Sequence, residues 1–151
     1  MDITSVFKKK GQADPADEEI RLERAEELHS ESIVIDGHHS DLPRLLKAGI
    51  NCAILSAFPY DRLMPIGGAK QGLAYIDAFH SLLEIPGVKG VFDTSDIETA
   101  RKEGQLGIML SFGGGEFLDG SIEALRMFHR LGLRMLTLTW NDRNLVGDGA
   151  G

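Results

Sequence analysis

The segment Leu106–Leu138, LGIMLSFGGGEFLDGSIEALRMFHRLGLRMLTL, carries a strand, a helix and a second strand in succession. Leu106–Leu110 and Leu133–Leu138 are almost continuously apolar, which is typical of strands buried on both faces. Between them, apolar residues recur at helical spacing, and Gly132 marks the end of the helix. A strand–helix–strand unit of this kind predicts a parallel sheet covered by helices.

The same alternation continues towards the N-terminus. Ile33–Ile35 and Cys52–Leu55 are predicted to be buried strands, and Val88–Phe92 a minor strand. Helices are predicted from Pro15, over Leu42–Ala48, around Leu73–Leu83, after a Ser95-x-x-Glu98 capping box, and after a cap at Asp119 or Ser121. Four main strands alternating with helices indicate an α/β fold. It is either a doubly wound sheet or half of a (β/α)₈ TIM barrel, which takes about 250 residues when complete.

The composition is that of a globular, acidic chain. The 151 residues are 42% apolar and 26% charged, with a formal net charge of -7. This charge makes nucleic acid and anionic membranes poor partners. Residues 1–13 are predicted to be a flexible leader and residues 14–151 one folded unit. We predict a cytoplasmic protein, since the sequence has neither a signal peptide nor an apolar run of about 20 residues. Cys52 lies in an apolar run and is expected to be a core residue rather than a nucleophile.

Chemically unusual residues follow three of the predicted strands. After the first strand, His39 and Asp41 stand at positions i and i+2, so they would present an imidazole and a carboxylate side by side. These are good ligands for a zinc-like ion, with helix capping or loop hydrogen bonds as the alternative. Trp140, after the last strand, either lines a pocket or covers the core. The histidines on predicted helices are expected at the surface: His29, His80 and His129.

Three consecutive glycines, Gly113–Gly115, follow the strand Leu106–Leu110. One interpretation is an anion cradle of backbone N–H groups, but the Lys and Ser/Thr of a P-loop are missing. The local pattern favours a turn that needs positive φ, and it also permits close approach of another segment.

Taken together, these strand ends resemble the membrane (renal) dipeptidase family. Val34–Pro43 resembles the family's opening motif, an apolar strand leading to Asp-Gly-His-x-Asp-Leu-Pro. Leu110–Leu118 is similar to the strand that ends in Glu-Gly-Gly. Leu125–Asn144 is similar to the helix followed by Leu-Gly-x-Arg-x-Leu-Thr-Leu-Thr. The resemblance extends from about residue 20 to Gly151.

The resemblance implies a metal-dependent hydrolase built on a (β/α)₈ barrel with two zinc ions. A metal-activated water would attack the peptide carbonyl of a dipeptide substrate. The His-x-Asp pair would hold one metal, a glutamate at the third strand end would bridge both, and histidines on later strands would complete the site. About four β/α units of such a barrel would be present here, as its N-terminal half.

This chain departs from the family pattern at the implied metal site. The first motif has one residue more than the family's, so its histidine is His39 in one register and His38 in the other, with Asp41 as the carboxylate in both. Gly113 stands where the family has the bridging glutamate, and Glu116 is the nearest carboxylate that follows. We therefore expect a dipeptidase by family whose chain is truncated and inactive alone, completed by a missing C-terminal half or a homodimer. The alternative is a non-catalytic half barrel that binds a partner.

Overall fold

The computed structural model describes residues 15–38, 41–59 and 67–151. They divide into two compact units, residues 1–33 and 34–151. In the described part of the first unit, residues 15–33, the helix α1 spans Pro15–Glu31, which confirms the helix predicted from Pro15. The predicted leader, residues 1–13, lies outside the described residues. No helix in the described ranges is long and apolar enough to cross a membrane.

The second unit alternates strands and helices as predicted. Its elements are β1 Ile35–Asp36, α2 Leu42–Leu45, β2 Cys52–Ala57, α3 Gly68–Leu82, β3 Val88–Gly90, α4 Thr94–Lys102, β4 Leu106–Phe112, a 3₁₀ turn Gly115–Leu118, α5 Ile122–Arg130 and β5 Leu133–Leu136. All strand pairings among them are parallel. The predicted parallel α/β fold is therefore confirmed, and it is compatible with part of a (β/α)₈ barrel.

β4 is the central strand of the sheet. It pairs with β2 from Gly107 to Phe112, and β2 pairs in turn with β1. Along its other edge, β4 pairs first with β3, up to Ile108, and then with β5, from Leu110 onward. This arrangement brings the carboxyl ends of β1, β2, β4 and β5 to the same edge of the sheet.

The hydrophobic core lies on one face of β4, beneath α3 and α5. Alternate residues of the strand point to this face and are buried: Leu106, Ile108, Leu110 and Phe112. The ring of Phe112 lies 5.4 Å from that of Phe128 on α5 and 4.3 Å from that of Phe117 in the 3₁₀ turn. Gly72 lets α3 approach this cluster, since an added Cβ would lie 2.8 Å from Cζ of Phe128.

β1 differs from its prediction as a buried strand. Ile33 and Ile35 are 47% and 50% exposed, respectively. Among the described residues, β1 pairs only with β2, so it forms the edge of the sheet. Cys52, in contrast, is buried as predicted, and burial raises the pKa of its thiol.

Two helix caps also differ from the sequence prediction. The capping box of α4 consists of Asp93 and Asp96, not of Ser95 and Glu98. Of the two residues considered for α5, Ser121 is the N-cap. The carboxylate of Asp119 instead accepts hydrogen bonds from the first two amides of α3, Gly68 N and Ala69 N, both at 2.9 Å.

Candidate active site

The candidate site lies at the carboxyl ends of β1 and β2. His38 follows β1, and its Nδ1 lies 3.3 Å from Oγ of Ser56 near the end of β2. The backbone N–H of His38 donates to Oδ1 of Asp36 at 3.0 Å. In the sheet register, Ser56 stands beside Ser111 of β4, whose hydroxyl is buried and has no hydrogen-bond partner among the described residues. This edge therefore holds a histidine and two hydroxyl groups.

An aromatic cluster spans the same strand ends. Phe58 lies at its centre, with the ring of His38 edge-on at 5.5 Å and the ring of Trp140 at 5.6 Å. The hydroxyl of Tyr75 on α3 donates to the backbone carbonyl of Phe58 at 3.2 Å. Trp140 is 61% exposed, so it borders the site and does not cover the core.

Gly113 lies directly beneath Phe58. A Cβ at this position would be 2.5 Å from Cδ1 and 2.6 Å from Cε1 of the Phe58 ring. Gly113, Gly114 and Gly115 all lack positive φ, so the prediction of a positive-φ turn is wrong. Close approach explains Gly113 and Gly115 instead, because an added Cβ at Gly115 would lie 2.6 Å from the backbone oxygen of Leu138.

The glycine segment does not form an open anion cradle. The amide of Gly113 donates to Ala57 O at 2.7 Å, and that of Gly115 donates to Leu138 O at 3.0 Å. These hydrogen bonds tie the end of β4 to β2 and to the segment after β5. Two of the three amides are therefore committed within the chain.

The structure places the described ligand candidates in different elements: His38 after β1, Asp41 at the start of α2 and Glu116 in the 3₁₀ turn. Asp41 is exposed and caps α2, accepting from Arg44 N at 3.2 Å. Glu116 lies in the 3₁₀ turn, where its Oε2 is buried without a hydrogen-bond partner among the described residues. His39 falls outside those residues, whereas His38 contacts Ser56 and Phe58.

A metal centre needs several donor side chains at one place. Within residues 15–38, 41–59 and 67–151, no three His, Cys, Asp or Glu side chains come together to hold an ion. Position 113 contributes no donor atom, and Phe58 takes up the space above it. The described residues alone therefore do not assemble a two-zinc centre, and His39 lies outside them. The assignment of His39, Asp41, His38 and Glu116 as ligands stays a prediction.

Phe58 is the main feature of this site that sequence reasoning missed. The register Ala57↔Phe112 places residue 58 of one strand beside residue 113 of its neighbour. The sequence does contain two signals, Phe58 after one predicted strand and Gly113 after another. They indicate a contact only when the pairing register of the two strands is known.

A cleft beside the site is the second feature that the sequence did not reveal. It has a volume of about 340 Å³ and lies between the start of α3, the 3₁₀ turn and the segment after β5. Glu116 and Arg143 line it with opposite charges. Arg143 is also paired through Nε with Oδ1 of Asp148 at 2.9 Å, an exposed ion pair that contributes little to stability.

Several solved structures resemble this chain. An amidohydrolase from Pseudomonas aeruginosa has a TM-score of 0.71 and 27% identity, over 82% of this chain and 38% of that chain. The probable dipeptidase PvdM from Pseudomonas aeruginosa has a TM-score of 0.67 and 17% identity, over 82% and 39% of the respective chains. A metallopeptidase from Rhodobacter sphaeroides, liganded with a phosphinate mimic of the dipeptide L-Ala-D-Ala, has a TM-score of 0.53 and 20% identity, over 72% and 45%.

The chain thus spans less than half the length of these solved proteins. At this level of identity, the second and third likenesses support the fold alone. Sequence comparison is more specific. The model of the family described as membrane dipeptidase, peptidase family M19, matches residues 36–151. This range begins at the second residue of β1 and includes β2 to β5 and every residue of the candidate site. This chain therefore belongs to the membrane dipeptidase family of hydrolases, peptidase family M19.

Proposed function

We propose that this chain is the N-terminal half of a zinc-dependent dipeptidase barrel, and that these 151 residues do not hydrolyse dipeptides alone. Family membership supports the reaction class, and the dipeptide mimic bound by the Rhodobacter sphaeroides protein supports dipeptides as substrates. The observation that supports inactivity of these 151 residues alone is the position of Gly113 beneath the Phe58 ring. The family resemblance implies a bridging glutamate at position 113. A cytoplasmic location stays a prediction from the sequence.

Activation of water by zinc needs a set of ligands that holds the ion and leaves an open position for water. At the described strand ends, the carboxylate of Asp41 is occupied as a helix cap and His38 contacts Ser56. The proposal draws the remaining ligands from outside the described residues: from His39 and from a C-terminal half or a second copy. In the proposed whole enzyme, this half forms one wall of the site.

A specific observation favours a second candidate, a non-catalytic half barrel that pairs with a partner. Ile35 and Met135 are 50% and 37% exposed on the sheet face opposite the core. Exposed apolar side chains on a sheet favour association with another surface. In this interpretation, the aromatic cluster forms part of a surface that binds a partner, and Gly113 replaces a glutamate that such a surface does not need.

Zinc content and hydrolysis measured together test the proposal. We expect the purified chain, dialysed against zinc, to retain less than one zinc ion per chain and to leave L-Ala-L-Ala intact. Asp41→Asn is measured alongside, since it removes a predicted ligand: zinc held by the His-x-Asp pair should fall in this variant, whereas non-specifically bound zinc should not. Two bound zinc ions with hydrolysis that Asp41→Asn abolishes would refute the proposed inactivity. A stable dimer in sedimentation, without zinc or turnover, would favour the second candidate.

A further inference from the structure

The positions of Phe58 and Gly113 depend on each other. They are the residues that follow the Ala57↔Phe112 pair at the carboxyl ends of β2 and β4. An added Cβ at Gly113 would also lie 3.2 Å from Ala57 O, so the ring and the backbone both limit the space. Because the φ of Gly113 is not positive, its backbone conformation suits any residue. Lack of space, and not the backbone conformation, therefore disfavours a side chain at this position.

Two rings and one backbone hydrogen bond fix the position of Phe58 above Gly113. His38 after β1 and Trp140 after β5 pack against Phe58, and Tyr75 on α3 holds its carbonyl. We name the cluster of His38, Phe58 and Trp140 the aromatic cap. Aromatic rings at such centroid distances attract one another in addition to the area that they bury. The cap thus joins the ends of several strands by contacts within this chain.

We infer that the aromatic cap takes the place of a metal-bridging carboxylate, and that Phe58 and Gly113 act as a coupled pair. This inference rests on the proposed function in one respect, the family position assigned to Gly113. Its physical basis is independent of the family, since the ring occupies the volume that any side chain at 113 would need. Two consequences follow: the strand ends are stable without metal, and no side chain enters at 113 unless the Phe58 ring leaves.

A double-mutant cycle tests the coupling. Gly113→Ala should lower the Tm of the wild-type chain by several degrees, because the methyl group forces the ring to move. In a Phe58→Ala background, the same change should cost much less. If Phe58→Ala does not fold, Phe58→Val serves instead, since valine also lacks the δ and ε carbons that approach Gly113. Gly147→Ala is the matched control, with its Cβ at an ordinary 3.6 Å from Thr139 Cγ2.

Trp140 gives a second readout, since it is the only tryptophan in the chain. Its emission should shift to the red in Phe58→Ala and in Gly113→Ala, but not in Gly147→Ala. EDTA should change neither the emission nor the Tm of the wild-type chain. An equal cost of Gly113→Ala in both backgrounds, or a Tm that falls with EDTA, would overturn the inference. Hydrolysis of L-Ala-L-Ala by the wild-type chain would instead refute only the proposed inactivity, so the two failures are distinguishable.

Discussion

The two faces of the sheet differ in how completely this chain covers them. On the face beneath α3 and α5, Ile108 and Phe112 are fully buried within the main hydrophobic core. On the opposite face, Ile54 is half-buried, Met135 is 37% exposed and Ser111 has a buried hydroxyl without a partner. The covered face thus obtains its packing partners from neighbouring helices of the same unit. The open face obtains such partners from the described residues only at its amino end, where Ala100 of α4 lies over Gly107.

The largest predicted loss of stability distinguishes two isoleucines on adjacent strands, Ile108 on the covered face and Ile54 on the open face. Ile108→Ala on the covered face should lower the free energy of unfolding by about 2–5 kcal/mol, since it leaves a cavity in a close-packed core. Ile54→Ala removes the same atoms from the open face and should cost no more than about half as much, because the side chain is already partly in water. Urea denaturation of both variants measures the difference.

Equal losses for the two isoleucine variants would contradict the comparison. Such a result would mean that the open face is covered in solution, for example by association of two chains. Repeating the Ile54→Ala measurement over a range of protein concentrations separates these cases, since only a bimolecular contact makes stability depend on concentration.

A smaller effect is predicted at Asp119, which links the covered face to the site. Its carboxylate caps α3, and its own φ of 48° lies in the left-handed region. Asp119→Ala loses both hydrogen bonds and strains the backbone, so we expect a loss of about 1–2 kcal/mol. Asp119→Asn retains an acceptor and tolerates this φ, so it should lose less.

Asp119→Gly separates the two causes in the same measurement. Glycine adopts positive φ without strain but offers no acceptor for the amides of α3. Its stability should therefore fall between those of the Asn and Ala variants. If Asp119→Gly were as stable as the wild-type chain, the cap would contribute nothing, and the strained backbone alone would explain the cost of alanine.

The covered face was predictable from sequence because its signals are local. The apolar runs of β2 and β4 and the helical spacing around Phe128 identify elements that this unit itself packs together. The burial of Ile35 was predicted wrongly, since an apolar run shows what a strand can bury but not whether a partner is present. The candidate active site was equally hard to predict, because its contacts depend on which strands lie side by side. The Phe58–Gly113 contact joins residues 55 positions apart, and only the parallel register brings them together.

For the metal site, the family resemblance predicted which residues are ligands, but it did not predict how their side chains are arranged. Asp41 was expected as a ligand or a helix cap, and the structure shows it as the cap of α2. Asp119 is a second residue whose partner could not be predicted from its position in the sequence. Its position before α5 suggested a local cap, whereas it caps α3, which precedes it by about 50 residues. A hydrogen bond of this range leaves no periodic signal in a sequence.

The smallest predicted effect concerns α4, which covers the amino end of the open face, where Ala100 lies over Gly107. Oδ1 of its N-cap, Asp93, accepts from Ser95 N at 2.7 Å and from Ser95 Oγ at 2.5 Å. These hydrogen bonds to Ser95 hold the pKa of the Asp93 carboxyl below its usual range. A lowered folded-state pKa means that the stabilisation is fully present above the unfolded-state pKa and is lost as the pH falls through the folded-state value.

Asp93→Ser retains a capping oxygen but does not titrate in this range, so it isolates the charge. We expect a slightly lower Tm than that of the wild-type chain near neutral pH, and a difference that shrinks as the solution becomes acidic. Circular dichroism melts of both proteins over a pH series measure it, with Trp140 emission recorded alongside. A constant difference at every pH would show that the Asp93 charge does not stabilise α4. An emission change confined to the variant would show that the amino end of the open face is coupled to the aromatic cap, two regions that we expect to respond independently.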